Sequence, residues 1–141
     1  MKEILFRGKR IDNNEWVEGY YVKMYDAHHN RTTYGICTGY LESDWEELFL
    51  DWHKVAPLSV GIFTGRTDKN DKKVFEGDIL YVKFKVSDSK TLTYVGVVKY
   101  EDDKGVFICE NAERCDGLYV FGSDDYEVIG NIFDNSKLME D

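Results

Sequence analysis

The sequence predicts a mainly β protein: a small antiparallel barrel or roll preceded by an N-terminal β layer, with one short helix. Three observations carry this. The chain holds 10 Tyr, 8 Phe and 3 Trp, the ring side chains that suit a pleated, half-buried surface. It has one proline, so little interrupts a strand ladder. Gly, Asn and Asp punctuate its apolar runs at short intervals, as turns between short strands require.

Taken in order, Ile4 to Lys9 and Trp16 to Val22 are apolar-rich runs joined by Ile11-Asp12-Asn13-Asn14. Asx residues tolerate left-handed backbone angles, so these two runs read as a hairpin. Arg31 to Gly39 is a third strand, entered from a polar turn that holds His28, His29, Asp26 and Asn30. Ser43 to Trp52 is the helix candidate. Ser43-Asp44-Trp45-Glu46 has capping-box spacing. Trp45, Leu48, Phe49 and Trp52 then recur at i, i+3, i+4 and i+7, one face of a helix. Leu48, Leu50 and Trp52 also alternate like a strand running toward Val55. The helix is the favoured reading, ending before Pro57, which disfavours helical angles at Ala56.

Beyond Pro57 the pattern is plainer. Ser59 to Gly65 reads as a strand and Asp68 to Lys73 as a charged turn. Val74 and Phe75 lead through Glu76-Gly77-Asp78 into the strand Ile79 to Phe84. Leu92 to Tyr100 and Val106 to Cys109 are two more strands, joined by a loop in which an Asp and Gly105 favour a turn. Leu118 to Phe121 and Tyr126 to Phe133 complete the set. Five or so short strands from Phe75 onward suit an SH3-like barrel or two-sheet roll. The expected organisation is one domain over residues 1–141, with an N-terminal β layer at 1–56 and the small barrel at 57–141. The pentapeptides Gly35-Ile36-Cys37-Thr38-Gly39 and Gly61-Ile62-Phe63-Thr64-Gly65 match at four of five positions. No flanking similarity extends the match, so it is read as chance or a shared strand-to-turn solution rather than a repeat.

At 141 residues and 43% hydrophobic content, the chain can bury a core without disulfides or metals, and wholesale disorder is excluded. Its 18 Lys+Arg face 27 Asp+Glu for a net charge of −9, which argues against generic binding to nucleic acid or an anionic membrane. The start has three consecutive apolar residues, Ile4-Leu5-Phe6, before charge returns. A secretory signal needs about 7–15 and a membrane span about 20. Three cysteines without framework spacing read as free thiols. Together these give the expectation of a cytoplasmic protein.

Three segments together resemble the YopX-like family of bacteriophage and prophage proteins of Gram-positive bacteria. The first is Lys2-Glu3-Ile4-Leu5-Phe6-Arg7-Gly8-Lys9 followed by Glu15-Trp16-Val17-Glu18-Gly19-Tyr20. The second runs from Val60-Gly61-Ile62-Phe63-Thr64-Gly65 through Asp68-Lys69-Asn70 to Val74-Phe75-Glu76-Gly77-Asp78-Ile79. The third is Tyr126-Glu127-Val128-Ile129-Gly130-Asn131-Ile132-Phe133-Asp134-Asn135. They span nearly the whole chain, and Met24 to Leu50 matches least. The resemblance implies a phage or prophage origin and a bacterial host cytoplasm; it implies no activity, cofactor or catalytic residue. The same motifs have a purely structural reading: Gly65 and Gly77 permit positive φ or close packing, and Asn70 and Asp71 suit a turn tip.

Chemistry is sparse. A zinc site would draw on Cys37, Cys109, Cys115, His28, His29 and His53, but no close ligand pair occurs. No signature surrounds any cysteine as a nucleophile, paired acids such as Asp102-Asp103 read as solvated, and phosphate-binding glycine loops are absent. The expectation is therefore a non-enzymatic protein without catalytic residues, cofactor or metal. Glu42, Asp44, Glu46, Glu47 and Asp51 interleave with Trp45, Leu48, Phe49 and Trp52, an acid rim around aromatic anchors suited to a basic protein partner. Trp45, Glu46, Glu47, Leu48, Phe49 and Trp52 are thus the candidate partner-binding residues, in a module expected to be a homo-oligomer. The alternative is a nucleic-acid-associated small β-barrel using Arg66, Lys69, Lys72 and Lys73. Residues 1–65 carry 7 positive and 10 negative charges and residues 66–141 carry 11 and 17, so any basic groove must be local.

Overall fold

The computed structural model describes residues 3–42 and 48–140, and of residues 40–42 and 48–50 the backbone alone. The described chain is mainly β, in antiparallel sheets, and it divides into two compact units, Met1–Ile62 and Phe63–Asp141.

The first unit is an antiparallel meander of β1 (Phe6–Lys9), β2 (Trp16–Asp26), β3 (Arg31–Glu42) and β4 (Leu48–Lys54). The β1–β2 hairpin closes through Asn14 at φ 60°, and the β2–β3 turn through Asn30 at φ 47°. In that second turn the Asp26 carboxylate accepts the His28 amide at 3.0 Å and stands 2.6 Å from the His29 ring. Strand alternation places Ile36 and Val55 inward, 0% and 4% exposed, beside Gly8 and Gly19. A Cβ at Gly19 would overlap the Cys37 carbonyl. The end of β1 meets the end of β4. Arg10 bridges Val55, the Ile11 amide donates to the Lys54 carbonyl at 3.1 Å, and the Ala56 amide donates to Lys9 at 2.9 Å. A 3-10 turn, Pro57–Ser59, leads into β5 (Gly61–Thr67), whose Gly61 and Ile62 pair with Arg7 and Phe6.

The second unit takes the remainder of β5, with β6 (Lys73–Phe75), β7 (Asp78–Ser87), β8 (Lys90–Glu101), β9 (Val106–Glu110), β10 (Cys115–Gly117) and β11 (Tyr126–Asn131). Five of them form one sheet in the order β10-β9-β8-β7-β11. Its core gathers Val74, Leu80, Val82, Val98, Cys109, Leu118, Phe121 and Tyr126. Asp68, 2% exposed, ties the β5–β6 turn to β11. Its Oδ1 accepts the amides of Asn70 (2.8 Å) and Lys72 (2.9 Å), and its Oδ2 accepts that of Val128 (2.9 Å). Gly77, at φ 93°, donates to the Val98 carbonyl at 2.9 Å and accepts from Ile132 at 2.8 Å. Asp78, 1% exposed, accepts the Phe75 amide at 2.7 Å.

Three expectations are corrected. The closed SH3-like barrel is not formed: the five-stranded sheet is open, with separate edges at β10 and β11. The helix over Ser43–Trp52 does not stand, because Leu48 to Trp52 lie in β4; residues 43–47, with the capping-box start, fall outside the described residues. The ladder with β3 supplies non-local hydrogen bonds that a short helix cannot match, and the alternation of Leu48, Leu50 and Trp52 serves it. Finally, Leu118–Val120 is a 3-10 turn rather than a strand. Leu118 and Phe121, three apart, can then both enter the core, at 1% and 3% exposure.

Candidate interaction face

The outward face of the first unit is set by strand parity. β1 and β2 pair Arg7 with Glu18 and Lys9 with Trp16. One row further along, Tyr20 stands opposite Cys37, and Cys37 opposite Trp52; the next row is Val22, Gly35 and Lys54. Directly opposed residues share a face, so Trp16, Tyr20, Val22 and Trp52 project to one side, away from buried Ile36. Glycine at 35 makes room for the indole of Trp52, since a Cβ there would overlap the ring. The Trp52 ring thereby lies against Gly35, while Trp52 remains 36% exposed; Tyr20 is 67% exposed. Arg7 lies over the Trp16 ring at 4.8 Å, with Lys9 at 6.0 Å.

The ladder beside Trp52 is irregular, with an extra residue, Thr38, between Cys37 and Gly39. Its hydroxyl donates to the Asp51 carbonyl (3.1 Å) and carboxylate (3.0 Å), and the His53 ring stands 3.6 Å from the same carboxylate. Asp51 is therefore held at the sheet margin beside His53, on the face opposite Trp52. Of the candidate partner-binding residues, Trp52 is on this face, and Leu48 and Phe49 are placed in β4 opposite Glu42 and Leu41 by their backbones. Trp45, Glu46 and Glu47 lie outside the described residues. Tyr20 and Gly35 were not among the candidates. The Tyr20-Val22-Met24 alternation along β2 is the sequence signal for the first. No local signal marks Gly35, whose partner is 17 residues away.

The four basic candidates of the β5–β6 region do not project as one group. Arg66 Nη1 donates to the carbonyls of Leu118 (2.9 Å) and Phe121 (2.7 Å), closing the end of the 3-10 turn. Lys69 pairs with Glu127 at 3.3 Å, and Lys73 lies 5.9 Å over the Phe63 ring. Lys72 lends its amide to Asp68.

For metal or nucleophile chemistry, the described residues contain no cluster of three or more His, Cys, Asp or Glu that could hold an ion. Burial pushes the Cys109 thiol up to about 12, so it stays protonated at neutral pH and is a poor nucleophile. Burial likewise pushes up Tyr94, whose hydroxyl donates to Asp116 at 2.8 Å. No helix among the described residues is long and apolar enough to cross a membrane.

A family model described as YopX protein matches residues 5–140. Among solved structures, the chain is similar to the crystal structure of protein EF1440 from Enterococcus faecalis. The TM-score is 0.62 at 24% identity, with 99% of this chain and all of that one covered; this likeness shows the fold alone. None of the curated proteins matches.

Proposed function

We infer that this chain, which belongs to the YopX protein family, is a non-enzymatic protein-interaction module, encoded by a phage or prophage and acting in the cytoplasm of the bacterial host as a homo-oligomer. The observation that carries the reading is the stretch Tyr40 to Trp52. It holds five acids and no Lys, Arg or His, and it ends on Trp52, exposed on the same sheet face as Tyr20, with Cys37 of β3 between them. Aromatic anchors supply burial at an interface, and a surrounding field of one sign steers the oppositely charged partner to it. A basic protein is that partner. The inward use of Arg66, whose guanidinium donates to the carbonyls of Leu118 and Phe121, takes one cation from the nucleic-acid alternative, which needs its cations turned outward.

Affinity capture from a host lysate, with and without nuclease, tests the reading. A defined basic protein that survives nuclease is expected. Capture that nuclease abolishes would assign the chain to nucleic acid instead.

A further inference from the structure

We propose that a cleft in the second unit seats a lysine side chain of the basic partner protein, an inference that rests on the interaction reading above. The cleft, of about 370 Å³, opens on β8 between the β9–β10 turn and a 3-10 turn at Ser136–Met139. Val95, Ala112, Leu138 and Met139 give it an apolar lining. Glu113 comes from one of these turns and Glu140 from the end of the other. Its volume lies at the small end of the range for ligand sites, enough for one side chain and not for a folded surface.

Both walls are fixed from within. The Asn111 side chain donates to the Val95 carbonyl at 3.0 Å and accepts the amides of Glu113 (2.9 Å) and Arg114 (2.8 Å). The turn that carries Glu113 is thus tied to β8. On the other side, the Asn135 side chain accepts the Asn131 amide at 3.2 Å and packs on Gly130, where a Cβ would overlap it. The Leu138 amide then donates to the Asn135 carbonyl at 2.9 Å, and the Glu140 amide to that of Lys137 at 3.1 Å. Walls held in place before a ligand arrives lower the ordering cost of binding it.

The lining selects the occupant. Arg114, the base next to Glu113, is committed elsewhere: its Nε donates to Asp116 at 2.7 Å, and its guanidinium lies 5.6 Å from the centre of the Tyr94 ring. Among the described residues neither Glu113 nor Glu140 forms an ion pair. Two carboxylates without a cation, beside an apolar lining, complement a group with an aliphatic stem and a positive tip. Lysine has that form. Its methylenes cover Val95, Leu138 and Met139 while its ammonium meets the acids, and a basic partner displays such side chains.

The probes are capped lysine (Nα-acetyl-lysine methylamide) and capped norleucine, which has the same stem without the ammonium. Each is titrated into the full chain and followed by amide NMR shifts. Saturable shifts at Ala112, Glu113, Met139 and Glu140 are expected with capped lysine, and binding roughly fivefold weaker with capped norleucine. The double variant Glu113→Gln with Glu140→Gln should lose the same factor for capped lysine. Both residues are exposed, and an unchanged spectrum away from the cleft shows that the variant is folded. No shifts at the cleft, equal binding of the two probes, or lysine binding that the double variant leaves intact overturns the inference. Capture from nuclease-treated host lysate then tests the source of the lysine. Weaker capture of a basic protein on the double variant supports the partner's side chain. Equal capture, with capped lysine still bound by the unmodified chain, would assign the cleft to a free amine and overturn it. Failed probe titrations beside intact capture remove this inference alone; absence of any captured basic protein removes the interaction reading, and the partner's lysine with it.

Discussion

Asp68 shows how one buried carboxylate can organise a turn that has no chemistry of its own. Burial alone would raise its pKa, but the amides of Val128, Lys72 and Asn70 outweigh that and hold it below the ordinary carboxylate value. A carboxyl depressed on folding gives its full stabilisation above its unfolded pKa, and that share disappears as pH falls through the lower folded value. Asp68→Asn turns an amide donor toward a main-chain donor and should cost about 1–3 kcal/mol at pH 7. Urea denaturation should show the gap to the unmodified chain narrowing below about pH 4. The cysteines differ in the same physical way. Cys109 is buried and held as the thiol, whereas Cys115 is exposed. Native protein should therefore react with a thiol reagent at Cys115 well before Cys109, with both labelled after denaturation; equal native rates would place Cys109 elsewhere.

At the scale of elements, the strands were legible where turn residues bound them, and illegible where two periodicities coincide. Leu48, Phe49 and Trp52 satisfy a helical face, and Leu48, Leu50 and Trp52 satisfy a strand. A local pattern cannot weigh the β3 ladder that decides between them. The pentapeptide match has a structural counterpart: β3 and β5 both lose register at or just after the shared Thr-Gly, between Cys37 and Gly39 and between Phe63 and Thr67. Neither strand turns there, since β3 runs on to Glu42 and β5 to Thr67, so what the two segments share is a ladder irregularity within a strand rather than a strand-to-turn junction. The structural reading of the family motifs also finds its residues, with Gly65 and Gly77 at φ 85° and 93° and Asp71 at 61°. The candidate interaction face was half legible. Trp52 stood out by its neighbours, but its seat on Gly35 is a cross-strand relation. Gly35→Val should push the indole off the sheet and weaken partner capture. The overlap with the ring at a buried position should cost about 1–3 kcal/mol in stability, so capture is compared at equal folded protein. Capture at the level of the unmodified chain would remove Trp52 from the interface.

For the molecule as a whole, a net charge of −9 is informative only once it is resolved along the chain. Thirteen residues from Tyr40 to Trp52 carry five of the acids and no base, while Arg7 lies over the Trp16 ring and Arg66 donates to main-chain carbonyls. Composition could disfavour phosphate-bearing partners, but it could not show that Arg66 is turned inward to Leu118 and Phe121, 52 and 55 residues away. Assembly is expected at this scale too: light scattering should return a multiple of the 16.5 kDa chain mass, and a monomer at all concentrations would contradict it. The central claim, a protein partner met through the Trp52 face, is tested most directly by capture from nuclease-treated host lysate on the unmodified chain and on Trp52→Ala side by side. The account predicts one basic protein retained by the first and lost by the folded variant. Equal recovery on both, or recovery of nothing once nucleic acid is digested, would contradict it.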